Sequence, residues 1–238
     1  MTSVIHRVAS LDLKVLPWSW PFAEARRPEI EAHFAAEQRK RPGLWNGRVL
    51  IGRDAVFAVG RLTADYFEVD FASFLSWRDW GFPDTSVFNG FGMGALLAKD
   101  GAFVLGEMAE HTANAGRIYF PSGTPDPADV RGDRLDIAGS VARELEEETG
   151  LTPADYRNDS CWDCVVTGAS MAMMQRLHVD MTGEELRARI EANLARQRQP
   201  ELARIHLVRS RGDFTATMPG FVTAYLEQQL DIQEGRRP

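Results

Sequence analysis

Apolar positions recur at helical spacing in several parts of this chain. Residues 27–42 carry Ile30 and Phe34 four positions apart, with Pro28 near the start and basic residues near the end. This pattern predicts a short amphipathic helix. The same reasoning predicts three further helices, over residues 136–150, over residues 182–199 and around residues 221–226.

One of these helices has clear start and stop signals. Asp136 can cap its first turn, and Ile137, Val141 and Leu145 recur every four residues as a stripe to be buried. Gly150 stands where a left-handed residue commonly ends a helix.

Strand-like runs rich in branched and aromatic residues fill much of the remaining chain. Residues 94–108 predict a hairpin, because Lys99, Asp100 and Gly101 separate two apolar runs. Strands and helices alternate without a fixed repeat, which predicts an α/β fold with a mixed sheet and helices on both faces. The other predicted strands lie between residues 44 and 82 and at 116–123, 160–168, 171–181 and 204–208.

Composition and charge narrow the classes of function. The chain has 238 residues, 44% of them hydrophobic, which is ordinary for a globular protein. A formal net charge of -7 argues against a broad nucleic-acid interface. The first residues lack the apolar core of a signal peptide, and no 18-residue apolar run occurs. We therefore expect a cytoplasmic protein without a membrane segment.

The two cysteines, Cys161 and Cys164, form a CxxC pair. Such a pair is compatible with a redox centre or half of a zinc site. No second pair exists, and the surrounding residues read as a strand instead of a strand leading into a helix. We expect two reduced cysteines in a strand.

The stretch RELEEETGL, residues 143–151, places four glutamates in the five positions from 144 to 148. On a helix Glu144, Glu147 and Glu148 share one side, where like charges repel by about 0.2–0.5 kcal/mol per pair. Glu146 lies roughly 200° from Glu144 and should face solvent. Acidic runs are commonly solvated faces. Three clustered carboxylates can also hold a divalent cation, because Mg²⁺ prefers hard oxygen ligands.

This stretch resembles the signature of the Nudix hydrolases, G-x5-E-x7-R-E-U-x-E-E-x-G-U, in which U is a bulky aliphatic residue. The second half is matched at every fixed position, by Arg143, Glu144, Leu145, Glu147, Glu148, Gly150 and Leu151. The first half is not matched. The spacing from Gly123 places Asp129 in the glutamate position, and six extra residues separate the halves, so that Asp129, Asp133 and Asp136 all stay open as substitutes.

The resemblance implies a Nudix-type α/β/α sandwich over residues 86–238, preceded by a small N-terminal α/β lobe over residues 1–85 that shapes the substrate pocket. It implies Mg²⁺ or Mn²⁺ as cofactor and hydrolysis of a nucleoside diphosphate linked to another moiety. The implied metal ligands are Glu144, Glu147, Glu148 and the Ser122 carbonyl, with Arg143 orienting the carboxylates.

A general base often lies outside the signature in this superfamily. Glu201, just before the strand at 204–208, is the first candidate, and Asp213 is the second. For either residue, an ordinary surface carboxylate is the competing interpretation.

Softer patterns are spaced over most of residues 28 to 210: PEIEAHF, PGLWNGRVL, GRLTADYF, VFNGFGMGALLAKDGAFVLGEM, FPSGTPDP, and Glu201 ahead of ARIHLV. In their order and spacing they resemble the UDP-glucose pyrophosphatase branch of the superfamily. That branch splits UDP-glucose into UMP and glucose 1-phosphate, so a nucleotide-linked small molecule is the expected partner. Two other hypotheses stay open. One is a Nudix hydrolase of ADP-ribose, a dinucleotide or coenzyme A, and the other is a catalytically silent domain that senses a nucleotide.

Substrate-binding candidates come from residue chemistry. Arg117, ahead of Ser122, suits a phosphate, while Phe88 and Asn89 suit a base. Each has an ordinary alternative: a surface arginine, a core aromatic and a turn residue respectively. The N-terminal segment offers further candidates for the base, namely Trp45, Asn46 and Phe67.

Overall fold

Twelve strands form one mixed sheet in residues 2–235, the part of the chain that this computed structural model describes. Strand β2 pairs with β4 in parallel and β11 with β5 in parallel, whereas the other pairs are antiparallel. The mixed sheet expected from the sequence is confirmed. The strands are β1 Val4–Val8, β2 Ser10–Val15, β3 Arg48–Ala58, β4 Arg61–Asp70, β5 Val87–Ala98, β6 Phe103–Met108, β7 Ile118–Tyr119, β8 Val130–Arg131, β9 Arg134–Leu135, β10 Tyr156–Thr167, β11 Ser170–Val179 and β12 Leu202–Val208.

Six α-helices accompany the sheet in the described part of the chain. The four predicted helices are confirmed as α2, α4, α5 and α6, and Thr182 and Glu185 form a capping box at the start of α5. The helices are α1 Pro21–Ala25, α2 Arg27–Lys40, α3 Phe71–Asp79, α4 Ile137–Thr149, α5 Gly183–Leu194 and α6 Gly220–Gln233.

Helices cover both faces of the sheet at β5. The Phe91 ring contacts Phe221 of α6, with centroids 5.6 Å apart. The next residue, Gly92, faces α4 so closely that a Cβ atom there would lie 2.6 Å from Val141. Successive strand residues point to opposite faces, so α4 and α6 enclose the sheet between them. The expected α/β/α arrangement is confirmed.

The strand predicted across residues 66–74 is confirmed as far as Asp70, where β4 ends, but residues 71–74 belong to helix α3. Asp70 caps the helix by accepting a hydrogen bond from the Ser73 backbone N–H at 3.0 Å. Six of its nine residues are buried, so the segment lacks the one-sided apolar stripe by which a helix is recognised in sequence. Its aromatic residues are typical of strands.

The N-terminal segment contributes to two apolar cores. On β3, Val49 and Ile51 pack against the small helices in a core that also includes Phe34 and Trp77. The intervening Leu50 points to the main core of the molecule. Strand β1 pairs with β10 along its whole length, so strand pairing crosses residue 85.

The domain ranges 1–85 and 86–238 therefore stay a prediction. Residue 1 and residues 236–238, which those ranges include, lie outside the described residues.

The CxxC pair lies on β10, as expected. Both thiols are free, and burial raises the pKa of Cys164 to about 12, the opposite of an activated thiolate. In residues 2–235, no helix is long and apolar enough to cross a membrane.

Candidate active site

A loop of residues 121–126 leads from β7 toward the acidic helix α4. It is fastened at both ends to the sheet: the Gly94 N–H donates to the Pro121 carbonyl at 3.0 Å, and the Leu50 N–H donates to the Pro125 carbonyl at 2.8 Å. The loop therefore has a fixed path beside the helix.

Local sequence determines which face of α4 meets this loop. Asp136 accepts a hydrogen bond from the Gly139 N–H at 2.9 Å, and Gly150 ends the helix with a φ of 74°. The predicted stripe of Ile137, Val141 and Leu145 is buried. Burying that stripe leaves the glutamates at the edge of the core, next to the loop.

Arg143 joins carboxylates from two parts of the chain. Its Nη2 lies 3.1 and 3.2 Å from the two carboxylate oxygens of Asp129, and its Nη1 donates to Glu144 at 2.6 Å. Glu147 lies 3.5 Å from the same Nη1. This forked geometry holds Glu144 in one orientation.

Asp129 is built into the site as the partner of Arg143. Its side chain is only 4% exposed and accepts hydrogen bonds from the Ser140 hydroxyl and the Asp126 N–H, each at 3.1 Å. Of the three aspartates left open by the sequence, Asp129 alone pairs with Arg143. Asp136 caps α4 instead, and Asp133 is exposed.

The six extra residues form a separate hairpin. Strands β8 and β9 pair with each other, and the Asp136 N–H donates to the Asp129 carbonyl at 2.9 Å across the base of the hairpin. With residues 130–135 set aside, seven residues separate Asp129 from Arg143, which is the spacing of the signature. The spacing found in the signature is therefore interrupted along the sequence, but the hairpin brings Asp129 and Asp136 together in space. Asp129 then stands where the signature has a glutamate.

Four glutamates, Glu144, Glu147, Glu148 and Glu201, make up what we call the acidic cluster. Glu144 is largely buried beneath the loop, where a Cβ atom on Gly123 would lie 2.2 Å from its Oε1. Only glycine fits there. Glu147 is 61% exposed, and the neighbouring Glu146 is exposed, as expected from the helical spacing.

Glu148 is the most unusual member of the acidic cluster. It is 3% exposed, and its Oε2 has no hydrogen-bond partner among residues 2–235. Burial, followed by repulsion from Glu144 and Glu201, raises its pKa well above the usual value, although the Ser122 backbone N–H counteracts this. Burial likewise raises the pKa of Glu144, against the opposing effect of Arg143.

Glu201 comes from a different element but joins the same cluster. It precedes β12, and its carbonyl accepts a hydrogen bond from the Ala109 N–H at 2.8 Å. Its charge contributes to the raised pKa values of Glu144 and Glu148, as expected for a neighbouring carboxylate. Asp213 instead accepts backbone hydrogen bonds from Arg209 and Ser210 at 2.9 Å, which makes it a turn residue.

The acidic cluster has the chemistry of a metal site. An unpartnered buried carboxylate oxygen and several mutually repelling glutamates are stabilised by a cation. Within residues 2–235, no three His, Cys, Asp or Glu side chains already stand close enough together to enclose a metal ion.

A cavity of about 390 Å³ opens beside the acidic cluster. Ser122 and Gly123, from the loop that covers Glu144, form part of its wall. Arg117 and Asn89, both predicted to bind substrate, line this cavity, and a third polar group, Arg78, comes from α3. The aromatic side chains in its wall are Phe74, Phe82, Phe91, Tyr119 and Phe221.

Other residues proposed from the sequence for base binding lie elsewhere. The Phe88 ring packs edge-on against Tyr66, with centroids 5.8 Å apart, and is not among the residues that line the cavity. Phe67 is fully buried, Trp45 is 80% exposed, and Asn46 accepts a hydrogen bond from the Ala72 N–H at 2.8 Å.

Sequence reasoning missed Phe74, Arg78 and Phe82 as site residues. Phe74 and Arg78 belong to α3 and Phe82 to the turn after it, whereas the sequence pattern predicts a strand as far as residue 74 and no helix after it. A strand would place Phe74 and Arg78 on one face about 13 Å apart, but a helix brings them within about 6 Å, one turn apart.

Several solved structures resemble part of the chain. A Nudix hydrolase from M. smegmatis is 11% identical with a TM-score of 0.39, over 63% of this chain and 86% of its own. A NUDIX hydrolase from Nitrosomonas europaea is 16% identical with a TM-score of 0.40, over 63% of this chain and 91% of its own. The MutT protein from Methanosarcina mazei Go1 is 17% identical with a TM-score of 0.35, over 63% of this chain and 96% of its own.

No protein-family model matches the sequence, and no curated protein matches it. With TM-scores below 0.5, the structural likenesses establish neither a family nor an activity for this chain.

Proposed function

We propose that this protein is a divalent-metal-dependent hydrolase of nucleoside diphosphates linked to another moiety, acting on UDP-glucose to give UMP and glucose 1-phosphate. The observation that carries the proposal is the buried Glu148 carboxylate, whose Oε2 lacks a partner while Glu144 and Glu201 repel it. Such an arrangement lowers the free energy of unfolding unless a bound cation balances the negative charge.

The proposed metal ligands are Glu144, Glu148, the more mobile Glu147 and the Ser122 carbonyl. When bound, Mg²⁺ or Mn²⁺ supplies charge neutralisation of the diphosphate and acidification of the attacking water. Arg143 is a positioning residue, because the Asp129 pair keeps its fork directed at Glu144.

The reaction consists of water attack on one phosphorus and cleavage of the P–O–P bond. Glu201 is the proposed general base that takes the proton of the attacking water, since it approaches the acidic cluster from a second element. Arg117 lies at the cavity wall, where its guanidinium can donate to a phosphate oxygen. The bridging oxygen stays on the phosphate that the water does not attack, which is the leaving group.

The cavity supports a nucleotide-linked substrate over inorganic diphosphate. It has room beyond the metal site, and its wall combines aromatic rings with a few polar groups, as small-molecule sites usually do. UDP-glucose in particular is proposed from the sequence patterns that resemble the UDP-glucose pyrophosphatase branch.

The test is product analysis by ion-exchange chromatography after incubation with UDP-glucose and Mg²⁺, in parallel with ADP-ribose. We expect UMP and glucose 1-phosphate from the wild-type protein and no turnover by Glu148→Gln. Glu146→Gln is the matched control, because it removes an exposed glutamate from the same helix.

Turnover of ADP-ribose alone would retain the metal chemistry and discard UDP-glucose as substrate. Absence of turnover on both substrates, with Mg²⁺ or with Mn²⁺, would overturn the enzyme proposal in favour of a nucleotide sensor.

A further inference from the structure

Helix α3 presents a recognition face to the cavity. Phe74 and Arg78 lie one helical turn apart and both line it. The turn after the helix adds Phe82, a non-glycine residue with a left-handed φ of 60°. This conformation is costly for an aromatic residue, and the Phe82 N–H is held by the Trp77 carbonyl at 2.9 Å. The strain places one more ring in the cavity wall.

Asn89 supplies the one buried acceptor in this wall that lacks a protein partner. Its Oδ1 is buried without a hydrogen bond among residues 2–235, and its backbone N–H is already used by the Ala169 carbonyl at 2.8 Å. A buried acceptor without a donor destabilises the folded protein. A ligand N–H would satisfy it.

Two of the other polar side chains around the cavity, those of Arg78 and Arg117, can only donate, whereas four more can donate and accept: Asn114, Ser122, Thr124 and Ser170. Arg78 gives two hydrogen bonds to Asp79, both at 3.2 Å, which leave other guanidinium N–H groups available. The Arg117 side chain has no ion pair or hydrogen bond with any residue in 2–235. The Asn89 amide group adds two further N–H donors.

From this pattern we propose that the cavity recognises the imide edge of a uracil-type ring, with Asn89 accepting the ring N–H while Arg78 donates to a flanking carbonyl. Along this edge uracil presents a carbonyl acceptor, the ring N–H donor and a second carbonyl acceptor. This order complements a wall in which the Asn89 Oδ1 acceptor lies near arginine donors. Cytosine presents an amino donor and a bare ring nitrogen at the same positions. Adenine pairs an amino donor with a ring acceptor and is larger.

The inference deepens the proposed function and rests on it for the position of the diphosphate. With the base between Asn89 and Arg78, the phosphates extend past Ser122 and Gly123 toward the acidic cluster. The base would lie among Phe74, Phe82 and their neighbours, where aromatic contacts add to the hydrogen bonds.

The test is equilibrium binding of UMP and CMP by isothermal titration calorimetry. These ligands have the same sugar and phosphate and differ only in the base edge, and neither contains a diphosphate to hydrolyse. We expect the wild-type protein to bind UMP at least about 10-fold more tightly than CMP.

Two variants test the individual residues. Asn89→Leu should weaken UMP binding about 10-fold or more and abolish the preference over CMP, because no acceptor then meets the ring N–H. Asn89→Ala, which also lacks a side-chain acceptor, makes the same test if the leucine variant does not fold. Arg78→Met should weaken UMP binding about 10-fold. Arg48→Met is the matched control, because Arg48 lies on β3 outside the cavity and forms an ion pair with Glu68 of β4. This variant should bind UMP like the wild-type protein.

Equal affinity of the wild-type protein for UMP and CMP, or no measurable UMP binding, would overturn the inference. It would also fail if Asn89→Leu kept the UMP preference. These results are independent of turnover: base-selective UMP binding without UDP-glucose hydrolysis would keep this inference and reject the enzyme proposal. Hydrolysis without base selectivity would do the reverse.

Discussion

Two groups of partly buried carboxylates lie in this molecule, and they differ in how their charge is balanced. Near β10, Asp159 accepts hydrogen bonds from Arg176 Nε at 2.8 Å and His178 Nε2 at 2.7 Å. Buried Asp163 receives a hydrogen bond from Gln229 at 3.3 Å and lies 3.6 Å from Arg7. We call these residues the paired network: Arg7, Asp159, Asp163, Arg176, His178 and Gln229.

In the acidic cluster, by contrast, Arg143 is the one basic side chain in residues 2–235 that forms an ion pair with its members. Burial raises the pKa of Glu148 there, whereas in the paired network the hydrogen bonds of His178 and Arg176 outweigh burial and lower the pKa of Asp159. Asp163 is intermediate, because burial raises its pKa despite the charges of Arg7 and Arg176.

The difference separates carboxylates whose charge is compensated within the chain from carboxylates whose charge is not. Asp159 accepts hydrogen bonds from two basic side chains, and Asp163, although its Oδ1 accepts no hydrogen bond in residues 2–235, lies near the charges of Arg7 and Arg176. Carboxylates gathered without such partners depend on something that the chain does not supply. The two regions therefore should respond in opposite ways to the loss of a charge.

The largest expected effect concerns Glu201. Glu201→Gln should lower kcat for UDP-glucose by about 10²- to 10⁴-fold, because a general base outside the helix is lost. Initial rates at saturating UDP-glucose with Mg²⁺ measure this. Glu191→Gln, an exposed glutamate on α5, is the control. A variant that keeps wild-type kcat would exclude Glu201 as the base.

The second effect should appear only in the paired network. Arg176→Met leaves Asp159 and Asp163 with less compensation, and we expect the free energy of unfolding to fall by about 2–3 kcal/mol. Urea unfolding measures it. Arg187→Met removes an exposed arginine paired with Glu184 and should cost less than about 0.5 kcal/mol. Equal losses in both variants would contradict the structural role given to Arg176.

A smaller effect should follow from the partner of Arg143. Asp129→Asn weakens the fork that orients Glu144, so kcat should fall about 10-fold, roughly 1.4 kcal/mol in the activation barrier. Steady-state kinetics measure this at saturating substrate. Asp133→Asn, in the same hairpin but 74% exposed, should leave kcat unchanged. If both variants behave alike, Asp129 has no positioning role.

The smallest expected effect is a gain in stability. In EDTA at pH 7.5, Glu148→Gln should raise the free energy of unfolding by about 1 kcal/mol, because a buried, unpaired charge is removed. Added Mg²⁺ should stabilise the wild-type protein but not the variant. Thermal unfolding with EDTA or Mg²⁺ measures both parts. A variant less stable than wild type in EDTA would show that the Glu148 charge is already compensated.

The same comparison has a defined pH dependence. The folded-state pKa of Glu148 is raised, so its ionised form destabilises the fold above that pKa. As the pH falls toward the ordinary value of 4.5, Glu148 protonates in both states, and the advantage of Glu148→Gln should disappear. A difference that grows on acidification would reverse this sign.

Local signals in the sequence identified α4 correctly, because Asp136, the stripe of Ile137, Val141 and Leu145, and Gly150 all act within one helix. The hairpin between β5 and β6 is confirmed for the same reason: its turn residues lie next to one another. Contacts between neighbours in sequence can be predicted from sequence.

The unpredicted features depend on contacts between distant residues. Most residues of helix α3 are buried, so its sequence lacks the one-sided apolar pattern that identifies a helix. For that reason the cavity residues Phe74 and Arg78 of the helix, and Phe82 after it, were not predicted. The role of Asp129 was left open, because nothing in the spacing indicates that residues 130–135 fold back on themselves. The hydrogen bond from the Asp136 N–H to the Asp129 carbonyl, which closes this hairpin, is seen only in the structure.

The closed base of the β8–β9 hairpin makes the chain tolerant of insertions at this point. Arg131, Gly132 and Asp133 are exposed, while the residues on either side of the hairpin are held by Arg143 and by α4. Extra length at Gly132 need not move Asp129 or Arg143, because the chain enters and leaves the hairpin at nearly the same place. The tip is therefore a natural attachment point for a fluorophore or an affinity tag that reports on the site without disturbing it.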